Sequence, residues 1–338
     1  LSRRQVDQET LNQDFGFNFK FTPDDRWSFN FDAQYTEAST ENLDVSVFGS
    51  TFADTMLDLT GNIPVVIPTK PQNTRATWGA PTSMENLSDA EYFSSNQYTF
   101  WRAAMDHIED SEGHEYAFRG DTQYSFDPGS FIKRLKVGAR YADRDQTVQS
   151  TTYNWGRLSE VWAGNTGSAV FFDEFGTDRT EFFAFPDFFR GATPGPVGGW
   201  YYSGDLIGDY EGSSDFFRSI DEYFTSGQEN PADGQGTGWV PLHQRPNAVS
   251  GTPFLPSEIQ VVSETTYAGY GMLSFGNDEY ADYPTVSGNV GVRYVKTEVD
   301  SAGSIQFPPM STTGFDQGTG TYPTYTEYCT PEIVDPDG

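Results

Sequence analysis

The chain has 338 residues, a formal net charge of −29 and an aromatic content of 16%. So negative a charge argues against nucleic acid as a partner, because binding to phosphates needs a basic surface. The sequence also contains no run of about 20 apolar residues, which a membrane-spanning helix would require.

The first patterned stretch, FGFNFKFTPDDRWSFNFDAQY, runs from Phe15 to Tyr35. Aromatic residues alternate with polar ones on both sides of a short break. This period of two is typical of a β-strand and does not fit a helix. The pattern therefore predicts a hairpin with strands near 14–22 and 27–37. One face of this hairpin is aromatic, and the other carries Lys20 and Asp32.

Two more pairs of alternating segments follow later in the chain. The segments HEYAFRGDTQYSF and RLKVGARYADRD form the second pair, and ETTYAGYGMLSF and VSGNVGVRYVKTE form the third. They predict strands near 114–126, 134–145, 264–275 and 286–298. Charged residues again fall on the side opposite the apolar ones. Those on the polar side are Arg119, Asp121, Lys136, Arg140 and Arg293.

The connections within the three pairs are short, whereas those after each pair are long (38–113, 146–263 and 301–338). Compact soluble domains rarely contain unstructured connections beyond about 15 residues. Transmembrane β-barrels alternate short periplasmic turns with long extracellular loops. We therefore expect an all-β fold, an antiparallel transmembrane β-barrel segment with its aromatic face toward lipid and its polar side toward the lumen. A soluble β-protein with one wet face remains an alternative, because alternation alone does not separate the two.

The second long loop is rich in aromatic residues and has its own helical pattern. The segment SSDFFRSIDEYFTSG predicts an amphipathic helix. Its apolar side would consist of Phe216, Phe217, Ile220 and Phe224. Ser213 or Ser214 is the expected N-cap, and Gly227 the expected end. We expect this loop to fold as a small lid over the barrel mouth.

Aromatic side chains in this loop suggest a ligand. Flat apolar rings with polar edges suit sugars, which present CH patches between hydroxyl groups, and nearby carboxylates can accept hydrogen bonds from those hydroxyls. The candidate binding residues are Trp155, Trp162, Trp200, Tyr201, Tyr202, Asp173 and Asp205. The alternative is that the aromatics form the core of the folded loop, because aromatic side chains dominate packing wherever they are buried.

The sequence gives no sign of catalysis. It has no nucleophile elbow, P-loop, zinc-protease motif or paired-cysteine motif. The three histidines, His107, His114 and His243, are not at metal-ligand spacing. We therefore expect a protein that is not an enzyme and that needs no cofactor or metal. The single cysteine, Cys329, is either a free thiol or pairs with a cysteine outside this chain.

Three short motifs carry a family resemblance. They are R-Y-x-D-R-x-Q at residues 140–146, Y-N-W-G at 153–156 and G-N-x-G-x-R-Y at 288–294. In this order, and with these loops, the chain resembles the TonB-dependent outer-membrane receptors. Within them it is most similar to the large-loop receptors that Gram-negative bacteria use for oligosaccharides. The resemblance covers the strands, whereas the interiors of the loops are specific to this chain.

The resemblance implies that residues 1–338 are the middle segment of a plugged barrel of about 22 strands. It implies outer-membrane lipid and an oligosaccharide as partners, and the TonB–ExbB–ExbD complex as a further partner through a plug domain that this segment lacks. A partner for Cys329 would then lie beyond Gly338. The alternatives are a siderophore receptor, a passive porin, and a soluble carbohydrate-binding module or adhesin.

Overall fold

The computed structural model describes residues 1–62, 64–71, 86–159, 169–186, 188–192, 195, 197–226, 238–277 and 285–304. The strands are β1 (Ser2–Phe21), β2 (Trp27–Thr51), β3 (Asp54–Asp58), β4 (Val65–Thr69), β5 (Thr99–Ser125), β6 (Ile132–Gln149), β7 (Asn154–Arg157), β8 (Thr180–Phe183), β9 (Gly199–Tyr202), β10 (Ile259–Gly276) and β11 (Ser287–Ala302). The helices of these ranges are α1 (Asp89–Phe93) and α2 (Tyr210–Ser226). Short 3-10 turns occupy Asn96–Tyr98, Thr177–Arg179, Phe188–Gly191, Leu242–Gln244 and Pro256–Glu258.

Six long strands form one antiparallel sheet in the order β1-β2-β5-β6-β10-β11, and β7 pairs with the loop end of β5. The predicted all-β, antiparallel fold is therefore confirmed. Within the described ranges the sheet is open, with β1 and β11 at its two edges. The pairs β3-β4 and β8-β9 form two small separate sheets in the connections.

One face of the sheet carries a continuous apolar belt near the short turns. Register places Phe19, Phe31 and Gly120 side by side on three neighbouring strands. The belt residues are Phe15, Phe17, Phe19, Phe21, Trp27, Phe29, Phe31, Tyr35, Tyr116, Phe118, Tyr124, Leu135, Val137, Tyr141, Tyr267, Leu273, Val290, Val292 and Tyr294. Most of them are exposed, and Phe17 reaches 65%. From Tyr116 to Tyr124 the belt extends about 26 Å along β5.

The strands continue well beyond this belt, so the loops are shorter than predicted. The loop expected at 38–113 spans only 52–98, because β2 ends at Thr51 and β5 begins at Thr99. Similarly, the loop expected at 146–263 lies between Gln149 and Ile259. The reason is that the mostly polar run EASTEN at 37–42 interrupts the alternation, whereas backbone pairing continues through it and the alternation resumes at Leu43. The third expected loop, 301–338, begins after Ala302 and falls outside the described residues from 305 onward.

The opposite face is polar over the same height. It carries all seven residues that the sequence places on the polar side of the strands: Lys20, Asp32, Arg119, Asp121, Lys136, Arg140 and Arg293. Register aligns Asp32, Arg119 and Arg140 in one row across the sheet. Arg140 pairs with Glu115 at 3.3 Å, and Arg119 pairs with Asp121 at 2.8 Å. The seven residues therefore share one face of the sheet, and their position toward a lumen stays a prediction.

A hydrogen-bonded cluster on the polar face links three strands. The hydroxyl of Tyr270 in β10 crosses over Gly138 in β6 and donates to Asp121 in β5. Asp121 also accepts from Arg119, and only 7% of the residue is exposed. A Cβ atom at Gly138 would lie 2.5 Å from the Tyr270 ring. The glycine therefore leaves the space that the tyrosine needs to reach the aspartate.

The second long loop folds into a module with its own core, which we call the loop module (described residues of 150–258). Trp101, Tyr202, Phe217 and Trp239 are buried in that core together with Val45 of β2. Val45 lies on the same face as the belt residues Phe31 and Tyr35, since the register of β2 is unbroken between them. The module therefore packs on the belt side of the sheet at the loop end, and not as a lid across the polar face.

The predicted amphipathic helix is present as α2, but it begins earlier than expected. Phe217, Ile220 and Phe224 are buried, and Phe216 packs against the same core, as predicted. Ser213 and Ser214 lie inside the helix and are not its N-cap, because the Ser213 amide already donates to the Asp209 carbonyl at 2.8 Å. Buried Tyr202 supplies a hydrogen-bond partner for the Ser213 hydroxyl at 2.9 Å. The predicted end, Gly227, lies outside the described residues.

Neither α1 nor α2, the helices of the described ranges, is long and apolar enough to cross a membrane.

The Gly138 cluster leads to a stability prediction. Replacing Gly138 with alanine forces Tyr270 away from Asp121 and costs about 1–3 kcal/mol of unfolding free energy. Gly269→Ala is the matched control, because its new Cβ would have Gly138 O as its nearest atom, at 4.0 Å. Urea unfolding of both variants under one solvent condition measures the difference. Equal midpoints for the two variants would contradict this account of the glycine.

Candidate functional site

The candidate site lies on the polar face of the sheet, between the belt height and the loop ends. A groove of about 510 Å³ crosses β1, β2, β5 and β6 there. Its wall contains the neutral side chains Thr10, Asn12, Gln34, Thr36, Thr40 and Ser111, together with the carboxylates of Glu109, Glu112, Glu115 and Asp145 and the side chains of Arg144 and His114. Hydroxyl and amide groups of this kind can both donate and accept hydrogen bonds. The groove is therefore suited to a ligand with many hydroxyls.

The strand β7 lies at the loop end of this face and carries the Y-N-W-G motif. Its side chains alternate between the two faces of the sheet. Trp155 pairs with Met105 of β5 and lies on the polar face, and Tyr153 stacks on His107 on that same face. Asn154, between the two aromatics, points to the other face and donates to Asp106 at 2.7 Å. The motif thus presents two rings on one side and one anchor on the other.

Both rings are braced by a neighbour and remain open to solvent. Trp155 stacks on Phe48 with ring centroids 4.6 Å apart, yet it is 58% exposed. Tyr153 stacks on His107, also at 4.6 Å, and is 54% exposed. His107 is itself buried, with Nδ1 3.2 Å from the Thr151 hydroxyl. We call Tyr153 and Trp155, with Phe48 and His107 behind them, the aromatic platform.

A fixed ion pair lies beside the platform. The guanidinium of Arg4 donates from Nε to Asp44 Oδ1 at 2.9 Å and from Nη2 to Asp44 Oδ2 at 2.5 Å. The Asp44 side chain is 2% exposed, whereas that of Arg4 is 56% exposed. The Arg4 guanidinium also interacts electrostatically with the Tyr153 hydroxyl. The two-bond geometry fixes the plane of the guanidinium and leaves its other donors accessible.

The buried carboxylate of Asp106 anchors this whole region to the sheet. Besides Asn154, it accepts hydrogen bonds from the Tyr210 hydroxyl at 2.6 Å and from the Leu242 amide at 2.8 Å. Asp106 has no exposed surface. It lies about 33 Å along β5 beyond the belt residue Tyr116. Three separate segments of the loop module therefore converge on one side chain of β5.

Burial changes the acidity of this network. Removal from water raises the pKa of the Asp106 carboxyl, and the hydrogen bonds from Leu242, Tyr210 and Asn154 oppose that shift. Burial next to this carboxyl also raises the pKa of the Tyr210 phenol. The phenol therefore stays protonated and keeps donating to Asp106 at neutral pH.

Most of the loop residues predicted to bind a ligand have structural positions instead. Tyr202 is 2% exposed and belongs to the core of the loop module. Trp200 is partly buried, and its ring nitrogen donates to the Ser94 carbonyl at 2.9 Å. Burial raises the pKa of Tyr201, which lines a separate small pocket with Phe183 and Phe185.

The two predicted carboxylates are exposed but lie in turns. Asp205 accepts from the amides of Ile207 and Gly208 and so closes a tight turn. The backbone carbonyl of Asp173 accepts from the Thr177 hydroxyl at 3.1 Å. Trp162 lies outside the described residues. Of the predicted set, Trp155 is the residue that combines high exposure with a position on the polar face.

Sequence reasoning missed Tyr153, Phe48, His107 and the Arg4–Asp44 pair. Tyr153 and Trp155 are two apart, and this spacing was itself a signal that both rings share one face. The partners Phe48 and Asp44 were hidden because they lie in a stretch predicted to be loop. Among the described residues no three histidine, cysteine or acidic side chains are grouped closely enough to hold a metal ion.

The anchoring role of Asp106 predicts a large effect of its removal. In Asp106→Ala the Tyr210 hydroxyl, the Leu242 amide and Asn154 lose a buried acceptor, which costs about 3 kcal/mol or more. The loop module should then become sensitive to proteolysis between residues 150 and 258. Asp110→Ala, an exposed change on the same face of β5, is the control. Identical protease resistance of the two variants would show that Asp106 is not an anchor.

The raised pKa of Asp106 also predicts a pH dependence. Between the unfolded and the folded pKa the folded state binds more protons than the unfolded state, so the stability of the loop module falls as the pH rises through this window. Asp106→Asn cannot titrate and should show a flatter profile. Hydrogen exchange of the α2 amides from pH 4 to 7, corrected for intrinsic rates, measures both. Parallel profiles for the two proteins would contradict the prediction.

The arrangement offers groups that can bind a ligand. Two open rings, a fixed ion pair and a groove of hydroxyl, amide and carboxylate side chains share one face of the sheet. The function must be argued from these residues themselves. No family model matches the chain, and no curated protein or solved structure matches it either.

Proposed function

We propose that the chain forms part of the wall of a TonB-dependent outer-membrane receptor that takes up an oligosaccharide. The observation that carries this proposal is the apolar belt. On β5 it spans the nine residues from Tyr116 to Tyr124, and a tilted transmembrane β-strand needs about 9–11 residues. Aromatic residues lie at both ends of the belt on β5, at Tyr116 and Tyr124, as in the two interfacial girdles of such barrels.

The exposure of the belt favours lipid over water. Monomeric soluble proteins rarely expose contiguous apolar patches larger than a few hundred Å². Here Phe17 is 65% exposed, Phe31 52% and Val292 75%, on three different strands of the sheet. A soluble sandwich would need a second sheet over this face. In the described ranges no further sheet covers it, because the loop module packs only at the loop end.

The two open edges of the sheet favour a larger barrel. The outer edges of β1 and β11 have no neighbouring strand among the described elements. In a membrane such edges leave backbone groups without hydrogen-bond partners, at several kcal/mol each. Additional strands are therefore part of the proposal, and they would close the wall that these six begin.

The polar face favours an oligosaccharide over an anionic ligand. The groove combines hydroxyl and amide side chains with the carboxylates of Glu109, Glu112, Glu115 and Asp145, which can accept hydrogen bonds from hydroxyls and repel anions. Arg4 beside the platform is neutralised by Asp44. The arginines of the lower polar face, Arg119 and Arg140, also have acidic partners. A siderophore receptor remains the alternative within the same transport class. Coupling to the TonB complex would belong to a plug domain.

The belt proposal predicts that a charge at its centre blocks insertion. Phe31→Lys should cost about 2–4 kcal/mol in lipid, as charged residues on the lipid face of barrels do. Phe183→Lys is the control, because Phe183 is 51% exposed but lies in β8 of the loop module. The measurement is the fraction of protein that floats with vesicles of outer-membrane lipid after refolding. Equal flotation of the two variants would contradict a lipid-facing belt.

A second readout locates the belt directly. Lipids brominated on their acyl chains should quench the fluorescence of Trp27, and Trp27→Phe should remove that component. Trp27 is 40% exposed within the belt. A wild-type protein that stays soluble without detergent, with no quenching by brominated lipid, would favour the soluble alternative and overturn the proposal.

A further inference from the structure

We propose that the aromatic platform is a subsite for a neutral oligosaccharide, in which Tyr153 and Trp155 each stack on a sugar ring and Arg4 donates to sugar hydroxyls. This inference rests on the proposed function and assigns its capture site to particular residues. It differs from the expectation for the loop aromatics, because Trp200, Tyr201 and Tyr202 pack within the loop module or along its side.

The first argument is the position of the exposed rings. On the lower part of the sheet the exposed aromatics lie on the belt face, where lipid accounts for them. Tyr153 and Trp155 lie on the polar face, where lipid does not. Each is more than half exposed, although Phe48 and His107 stack on it. A ring that packs against a neighbour on one face and is solvent-exposed on the other is suited to stacking with an apolar ligand surface.

The second argument is the spacing of the two rings. Asp44 pairs in register with His107, behind Tyr153, and Phe48 lies behind Trp155. Tyr153 and Trp155 are two residues apart in the chain, so their Cα atoms are at most about 7 Å apart. Two rings so close together can stack on neighbouring units of one sugar chain. The platform therefore favours a chain of several sugars over a monosaccharide.

The third argument is the polarity between the rings. Arg4 and Asp44 form a pair without net charge, and the accessible guanidinium donors can bind hydroxyl oxygens. A neutral, hydroxyl-rich ligand matches this chemistry.

The fourth argument is rigidity. Asn154 holds β7 to the buried Asp106, and its side chain also donates to the Val240 carbonyl at 2.8 Å. At Gly156 a Cβ atom would lie 2.5 Å from the Trp239 Cα, so only glycine lets that segment pack against β7. All four residues of Y-N-W-G thus have a role, two as rings and two in fixing the strand. Fixing the rings before binding lowers the entropy cost of capture.

The platform also continues into the groove. His107, Glu109 and Ser111 are alternate residues of β5 on the polar face, and the last two line the groove. A sugar chain held at Trp155 and Tyr153 would therefore extend along β5 into the groove, whose hydroxyl, amide and carboxylate side chains can hydrogen-bond to sugar hydroxyls. The platform and the groove would then form one continuous binding site, with the platform at its outer end.

The test uses the full chain in detergent and a defined probe set, the hexasaccharides of the malto, cello and xylo series. Binding is measured by isothermal titration calorimetry. At least one neutral probe should bind, and Trp155→Ala and Tyr153→Ala should each weaken that binding about tenfold or more. Trp155→Phe should keep most of the affinity. Phe183→Ala, an equally exposed aromatic away from the polar face, should change it less than twofold.

The outcomes separate this inference from the proposed function. If a probe binds and the platform variants match Phe183→Ala, the platform is not the subsite, whereas lipid insertion and uptake could still stand. If none of the neutral hexasaccharides binds, or if an oligogalacturonate of equal length binds more tightly, the neutral-saccharide assignment is wrong. Circular dichroism and vesicle flotation of each variant show that its sheet is intact.

Discussion

The arrangement of the aromatic platform and the loop module depends on the hydrogen bonds of the buried Asp106 carboxylate. It lies in β5, far from the belt, and joins Asn154, Tyr210 and Leu242 to the sheet. An ionised group without exposed surface is costly unless it is fully hydrogen-bonded. Its partners supply these bonds, so the three segments have one favourable arrangement. In the described ranges these three segments are therefore held on the side of the sheet opposite the polar face.

The face that carries the belt has two apolar regions with different surroundings. Near the turns, residues such as Phe31 are exposed, whereas near the loop ends Val45 is buried by the loop module. Between them β2 places Glu37 and Glu41 on the same face. The acidic strip separates an exposed apolar surface from an apolar surface that the loop module covers. One strand can therefore cross two environments without a break in its register.

The sequence predicts the sheet well where one face is uniformly apolar and the other polar, as from Phe15 to Phe21. It predicts the loop ends of the strands poorly, because Val45, Asp44 and His107 have environments made by distant segments. The same cause explains the candidate site. The rings of Y-N-W-G are visible in the sequence, but Phe48 and Arg4 become their neighbours only through the pairing of β1, β2, β5 and β7.

The crossing of Tyr270 over Gly138 has a consequence for assembly. Only one alignment of β6 and β10 places a side-chain-free position beneath the tyrosine and Asp121 within its reach. A slip of one residue would put Val137 or Ala139 there and would turn the belt residues of β10 toward the polar side. The glycine and tyrosine therefore encode the alignment of β6 and β10 in a single contact, which neighbouring registers would lose.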